Sequence, residues 1–305
     1  MKIAVVGSYG VGLTMRVPRV PAPGETVSGG AFQEGPGGKG SNQAIAAARL
    51  GADVSFLTAI GADDFGRAAT TLWRAEGVDA EHVVTTSAPT MVGFILVDPS
   101  GENCISIAPG ALDELDAASI EPFRAEIAAA DILVVSMEIP LAAATAALRI
   151  GREVGTPTLL NPAPAQELPD AVWPLVDIIT PNQTEAPVLL GLAPDHGLTD
   201  AELITELRRR TGGSAILTRG GRGALVSDAD GTAEVPALRV EKVVDTTGAG
   251  DSFTAALAVA IAEGRSLRDA AQFAAAAGAH AVTIAGVIPS LPTRDQLNPE
   301  IGSTR

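Results

Sequence analysis

Short apolar runs alternating with alanine-rich helical segments restrict this chain to few architectures. "KIAVVG", "VSFLTAIG", "DILVVSM", "TPTLLN", "VDIITPN" and "SAILTRG" are β-branched and continuously apolar, the pattern of strands covered on both faces. Between them lie "SNQAIAAARLG", "FGRAATTLWRAEG" and "AAATAALRIGREVG", each closed by glycine at its C-terminal end, as helices commonly are. Such alternation implies a doubly wound α/β fold: a mostly parallel sheet with helices on both faces and right-handed crossovers. Ligands in such folds sit at the carboxyl ends of the strands.

Two segments break the alternation. Residues 11–36 are rich in Pro and Gly and lack a helical period, while "MVGFILVDPSGENCISIAPG" reads as two strands around the turn Asp98-Pro99-Ser100-Gly101. Together they predict a small sheet outside the main one, used as a lid over the site or for pairing with a second copy. The sequence shows no internal repeat, low-complexity tract or linker. The expectation is therefore a single domain over 1–305 with lid segments at about 11–36 and 89–109.

With 46% hydrophobic residues the chain can bury a substantial core. Its formal net charge of -15, from 36 acidic against 21 basic residues, argues against nucleic acid or an anionic membrane as partner, because both select basic surfaces. A small molecule is the expected partner. The single Cys104 excludes an intrachain disulfide and a multi-cysteine metal site, and His82, His196 and His280 lack metal-ligand spacing. Neither a signal peptide nor an apolar stretch of about 18 residues stands out, so a cytoplasmic location is expected.

Three glycine-rich turns carry the candidate chemistry. "GPGGKG", residues 35–40, contains G-x-G-x-x-G, yet it does not follow a buried strand and no acidic residue stands at the dinucleotide offset. It also fails as a Walker A loop, because Gly40 takes the Ser/Thr position and Gln33 the first glycine position. What remains is a glycine entry to a helix, with Lys39 and Asn42 able to grip ligand hydroxyls. "LTRGGRGALV" reads as a hairpin when taken alone. In "ITPNQTEA", Asn182 and Glu185 follow a strand at a spacing that puts both on one face of the next helix's start. Glu185 suits either an aquated divalent ion or a capping box. In "VVDTTGAGDSFTAALAV", Gly248, Ala249 and Gly250 present N–H groups near a helix N-terminus, where the dipole favours an anion. Asp251 beside them is either an N-cap or a base facing a hydroxyl that attacks bound phosphorus.

"DTTGAGDSFTAAL", "GGKGSNQA", "NPAPA" and "PNQTEA", in this order-specific set with "GVIPSLPT" near the end, resemble the ribokinase branch of the PfkB carbohydrate kinase family along almost the whole chain. The resemblance implies an ATP-dependent sugar kinase with a ribokinase-like α/β core and a β-sheet lid that commonly mediates homodimers. By motif position it makes Asp251 the catalytic base and Gly248, Ala249 and Gly250 the anion hole. It assigns Asn182 and the turn Thr218, Arg219, Gly220, Gly221, Arg222 and Gly223 to the nucleotide, and Glu185 to Mg²⁺. Gly38, Lys39, Asn42 and Glu138 fall where the family holds its sugar. Asp245, Thr247, Ala281, Ile284, Gly286 and Ser290 match a loop for an activating monovalent cation, usually K⁺, whose hard oxygen ligands suit it.

One departure concerns the acceptor. Ribokinases typically begin G-S-x-N-x-D, whose Asn and Asp hold sugar hydroxyls, whereas this chain reads "GSYGVGL", with Gly10 and Gly12 at those positions. Two polar contacts are absent, and such contacts discriminate strongly between substrates. Ribose is the first expected acceptor. A deoxy sugar, a nucleoside, another sugar or a polyol stays open, and so does a non-catalytic sensor, against which the retained Asp251 and Glu185 count.

Overall fold

In the computed structural model, which describes residues 1–297, each of the six apolar runs forms a strand of one nine-stranded sheet. The spatial order is Gly231–Val235, Ala224–Asp228, Ser214–Thr218, Ile178–Ile179, Thr158–Asn161, Ile132–Ser136, Lys2–Val6, Asp53–Leu57 and Val78–Asp79. The first three pair antiparallel and the rest parallel. Side chains alternate across a strand, so an apolar run must find cover on both faces. Ile3 and Val5 enter one core cluster and Ala4 and Val6 the other, and Ile132 and Val134 divide likewise from Leu133 and Val135. The helices Lys39–Arg49, Ala249–Ala262 and Leu267–Ala281 contribute to the first cluster, Leu141–Val154 and Asp200–Thr211 to the second. Full burial of each large aliphatic side chain contributes about 1.5–3 kcal/mol, which makes this two-sided cover the main support of the sheet.

The two irregular segments form a separate four-stranded sheet, ordered Ala31–Gly37, Gly10–Arg16, Val92–Val97 and Asn103–Ala108. Its last two strands turn at Asp98–Gly101, where the Asp98 side chain accepts from the Ser100 amide at 2.8 Å and Gly101 N–H reaches Asp98 O at 3.0 Å. The remaining pair, Ala59–Gly61 and Val84–Thr86, forms a two-stranded sheet. No helix among the described residues is long and apolar enough to cross a membrane.

The small sheet joins the main one through a tight junction. A Cβ at Gly40 would lie 2.5–2.6 Å from Gly7 and Ser8 backbone atoms, so glycine there lets the helix start lie against the end of the strand Lys2–Val6. Ser41 N–H accordingly donates to Ser8 O at 2.9 Å. This contact carries Gly38, Lys39 and Asn42 to the carboxyl edge of the parallel strands.

Candidate active site

Parallel strands deliver their carboxyl ends to one edge, and the polar residues there converge. Ser8 follows Lys2–Val6, Glu138 follows Ile132–Ser136, Asn161 ends Thr158–Asn161, and Asn182 follows Ile178–Ile179. Glu138 Oε2 accepts from Ser8 Oγ at 2.5 Å and from the Lys39 amide at 3.1 Å. The strand end thus fixes the carboxylate to the start of the helix Lys39–Arg49. Between this edge and the small sheet lies a cleft of about 1310 Å³. Gly10, Gly12, Gly38, Lys39, Asn42, Glu138, Asn182, Glu185, Thr218, Asp245, Thr247, Gly248, Gly250, Asp251 and Gly286 all line it.

Asp251 is the third residue of the helix Ala249–Ala262, whose N-cap is Gly248 in the left-handed region at φ 84°. Asp251 is therefore not the cap, and its side chain is free for another task. It is 7% exposed. Oδ2 accepts from Asn42 Nδ2 at 2.8 Å and Oδ1 from Gln43 Nε2 at 3.1 Å. Burial pushes its carboxyl above the usual range, against the Lys39 charge and these two amide hydrogen bonds, which favour the ionised form. Gly248 and Gly250 face the cleft, whereas the Ala249 amide donates to Thr246 O at 3.3 Å and Ala249 does not line the cleft.

Glu185 opens the helix Glu185–Leu189, and Asn182 lies in the turn before it instead of sharing a helical face. The two bond reciprocally: Asn182 N–H donates to Glu185 Oε2 at 2.8 Å and Glu185 N–H to Asn182 Oδ1 at 2.9 Å. The capping arrangement is thus present and aims the carboxyl group at the cleft as well. Burial raises the Glu185 pKa, helped by the Asp251 charge and opposed by the Asn182 amide and Lys39. Mg²⁺ keeps waters and phosphate oxygens around one or two carboxylates, and a half-buried carboxylate beside Asp251 and Lys39 fits that demand.

Asn182 bridges to Thr218, the end of the strand Ser214–Thr218. Beyond Thr218 the chain turns as a hairpin into Ala224–Asp228. Arg219, Gly221 and Arg222 line a neighbouring cavity of about 610 Å³ with Pro236 to Val240 instead of the main cleft. Arg219 pairs with Glu234 at 3.2 Å and Arg222 with Asp200 at 3.4 Å. Gly220 is exposed, and Gly223 is pinned against Val235 O, which a Cβ would approach to 2.1 Å.

Asp245 joins two loops. Oδ1 accepts from the Thr247 amide at 2.9 Å and hydroxyl at 2.6 Å, and Oδ2 from the Gly286 amide at 3.0 Å. Burial opposes ionisation, but these hydrogen bonds outweigh it and hold the carboxyl below the usual range. Ala281 and Ile284 close a turn through Ile284 N–H to Ala281 O, and Ser290 Oγ donates to Val287 O at 2.8 Å. None of these three lines the cleft, whereas Gly286 does. An ionised carboxylate with neighbouring carbonyl and hydroxyl oxygens is a donor set compatible with a monovalent cation.

Sequence reasoning gave no role to Ser8, Gln43, Asn161 or Met91. Gln43 links Asp251 to Asn161 Oδ1, the latter at 3.0 Å. Its position one residue after Asn42 was the available signal, since both fall near the start of one helix. Met91 could not be found from spacing, because it reaches the site through the partner strand of Gly10–Arg16.

The pfkB family carbohydrate kinase model matches residues 1–294. A ribokinase of Haemophilus influenzae is 37% identical over 295 residues, covering 96% of each chain. A deoxyribokinase of Salmonella typhi is 33% identical over 300 residues, covering 98% of each. The structure of Arabidopsis thaliana ribokinase complexed with ribose and ATP superposes with a TM-score of 0.90 at 28% identity, covering 98% of this chain and 97% of that one. The agreement extends from sequence to architecture along nearly the full length, so the chain belongs to the pfkB family of carbohydrate kinases, is ribokinase-like in fold, and is an ATP-dependent sugar kinase.

Proposed function

We propose that the protein transfers the γ-phosphoryl group of ATP to a primary hydroxyl of a ribose-type sugar, with Asp251 as general base. The observation that carries this is the buried Asp251 carboxylate, held by Asn42 and Gln43 at the helix end where Gly248 and Gly250 face the same cleft. The acceptor hydroxyl gives its proton to Asp251 as its oxygen bonds to the γ-phosphorus. The bond from that phosphorus to the β–γ bridging oxygen breaks, and ADP leaves with the electron pair. The Gly250 and Gly248 amides and the helix dipole stabilise charge on the transferring group. Lys39, Asn42 and Glu138 hold sugar hydroxyls, while Asn182 and Thr218 border the nucleotide, with the Arg219 to Gly223 turn beside it. Glu185 would hold Mg²⁺, which when bound would supply neutralisation of phosphate charge. Asp245, Thr247, Ala281, Ile284, Gly286 and Ser290 would hold K⁺, whose charge would help fix the loop before Gly248. Ribose is the acceptor suggested by relatives named ribokinase, and the similarity to a deoxyribokinase shows that identity alone does not separate the two.

The small sheet acts as the lid of a single domain and as a homodimer surface. Met15 and Phe32 are cross-strand partners, as are Leu13 and Phe94, and Met15, Phe32 and Phe94 are exposed on the side of the sheet away from the cleft, as contiguous apolar patches at interfaces are. Phe94→Glu should convert a dimer to monomer in sedimentation velocity. An unchanged sedimentation coefficient would remove the small sheet from the interface.

The kinase reading is tested by ADP release with ATP, Mg²⁺ and K⁺ against pentoses, deoxypentoses, hexoses, polyols and nucleosides, with each ion omitted in turn. Asp251→Asn should lower kcat by at least about 10²-fold while ATP binding persists. Near-normal turnover in that variant would refute the assignment of the base.

A further inference from the structure

The small sheet is rooted in the main body at two places, and the helix Asp64–Ala75 holds both. One root is the close approach of Gly40 to Gly7 and Ser8. Beside it Tyr9, 1% exposed, meets Trp73 of that helix edge-on with ring centroids 5.1 Å apart, and Trp73 Nε1 donates to Ser41 Oγ at 2.9 Å. The other root is the segment 89–91, which feeds the strand Val92–Val97.

At this second root the carboxylate of Asp63, the N-cap of the same helix, is committed to Thr90. Oδ1 accepts from the Gly66 amide at 2.8 Å, as a cap does, and also from Thr90 Oγ1 at 2.7 Å, while Oδ2 accepts from the Thr90 amide at 2.8 Å. Thr90 Oγ1 in turn accepts from the Gly61 amide at 2.9 Å, and Thr90 is 1% exposed. A Cβ at Gly61 would come within 2.6–2.7 Å of Ala88 O, Thr90 N and Asp63 Oδ2, so only glycine lets these segments close on one another. The returning strand is tied to the same place, because the Ala111 amide, just beyond Asn103–Ala108, donates to Pro89 O at 2.8 Å. Burial opposes ionisation of Asp63, yet the hydrogen bonds from Thr90 and Gly66 hold its carboxyl below the usual range. Capping a helix uses one side-chain acceptor bond. The two bonds to Thr90 do nothing for the helix and fix the root of the small sheet instead.

What they fix stands next to the site. Met91 O accepts from the Val11 amide at 2.9 Å, where the pairing of Gly10–Arg16 with Val92–Val97 begins. Met91 lines the cleft, and its side chain occupies the space that a Cβ at Gly10 would need. Asp63 and Thr90 do not line the cleft. We propose that Asp63 is a positioning residue for phosphoryl transfer: by holding Thr90 it sets where Met91 and the root of the small sheet stand over the acceptor end of the cleft. An acceptor hydroxyl displaced by about 1 Å loses up to about 10²-fold in rate. The nucleotide end at Asn182 and Thr218 is built on the main sheet, so it does not depend on this root.

The role of Asp63 rests on the proposed kinase reading, and its test includes a measurement that needs no turnover. Asp63→Asn keeps a good helix cap, but with Oδ1 on Gly66 its Nδ2 meets the Thr90 N–H, donor against donor. Thr90→Val keeps the shape and removes the hydroxyl. ADP release is measured with ribose, or with whichever sugar the chain turns over fastest, alongside calorimetric ATP binding and thermal unfolding. Ser266→Ala, which uncaps Leu267–Ala281 instead, is the control for lost stability. Asp63→Asn and Thr90→Val should each lower kcat/KM for the acceptor at least about tenfold while ATP affinity stays within about twofold. Both break one contact, so the double variant should lose little beyond the larger single loss. Acceptor and ATP affinities that fall together in step with Tm, as in Ser266→Ala, would reduce Asp63 to a cap and overturn the proposal. Unchanged acceptor kcat/KM in the two single variants, or losses that multiply in the double variant, would overturn it as well, with the kinase reading intact. Absent turnover in the wild type defeats the kinase reading, and hydrogen exchange then decides on Asp63. Faster exchange of the Val11, Thr90 and Ala111 amides in Asp63→Asn, with the Gly66 amide still protected, supports its hold on the small sheet, whereas unchanged exchange there overturns it.

Discussion

Replacing Gln43 with methionine should move the acid limb of the kcat/KM profile upward by about one pH unit. Gln43 is 1% exposed, and its Nε2 donates to Asp251 Oδ1 at 3.1 Å and to Asn161 Oδ1 at 3.0 Å. Only the ionised Asp251 benefits fully from that donor. A hydrogen bond to a charged group is worth about 1.5–3 kcal/mol, and a pKa unit corresponds to about 1.4 kcal/mol. The length of this bond, and the second donor Asn42 that stays in place, put the expected effect at the lower end. The sign follows: loss of a partner for the carboxylate raises a pKa that burial has already raised. Since the base must be ionised, activity falls as pH drops through the higher value and recovers above it. The variant should thus lose about tenfold in kcat/KM on the acid side of the wild-type limb and little on the alkaline plateau. Methionine keeps the volume and removes Gln43 Oε1, a buried acceptor without a partner among the described residues, but it also takes the donor from the buried Asn161 Oδ1 and Asp251 Oδ1, so thermal stability should fall as well. Initial rates from pH 5 to 9 at fixed ionic strength provide the measurement. A loss of the same size at every pH, or a limb that superposes on wild type, would refute the role of Gln43 in setting the charge of Asp251.

Arg49 gives a test of stability. Nε and Nη2 meet both oxygens of Glu76 at 2.8 Å, and Nη1 donates to Ile288 O and Leu291 O at 2.7 and 2.8 Å. Discounted for partial exposure, Arg49→Met should cost about 2–4 kcal/mol in urea unfolding, and a loss below about 0.5 kcal/mol would show the clamp to be ornamental. For the acceptor side, Gly12→Asp should fold as wild type and improve ribose use, whereas Gly10→Asn should lower stability by about 1–3 kcal/mol through collision with Met91. Met91→Gly in the same chain should recover part of that loss, and strict additivity of the two changes would contradict the collision.

The core was legible because a parallel sheet covered on both faces imposes a continuous apolar run on every strand. Lys2–Val6, Ile132–Ser136 and Ser214–Thr218 all carry that mark. The small sheet was legible only in outline. Its strands are partly exposed, and Asn103–Ala108 is exposed throughout, so burial leaves no period to read, and the turn at Asp98–Gly101 was the firmest signal. Helix starts were visible from composition, yet the roles of residues within them were not. Asp251 and an N-cap aspartate look alike in sequence, and Gly248 in the left-handed region settles which residue caps.

Why the site was only partly legible is clearest at the two glycines. In the sequence they are two missing side chains two residues apart, equal in weight. In three dimensions one space is filled by Met91, from a strand about eighty residues away along the chain, and the other opens onto two more glycines from two different strands. Both outcomes depend on cross-strand register, which no local pattern encodes. A motif therefore identifies the chemistry, because Asp251 and the amides around it are neighbours in sequence. The acceptor is selected by residues that are neighbours only across strands, so the same motif serves kinases of different specificity.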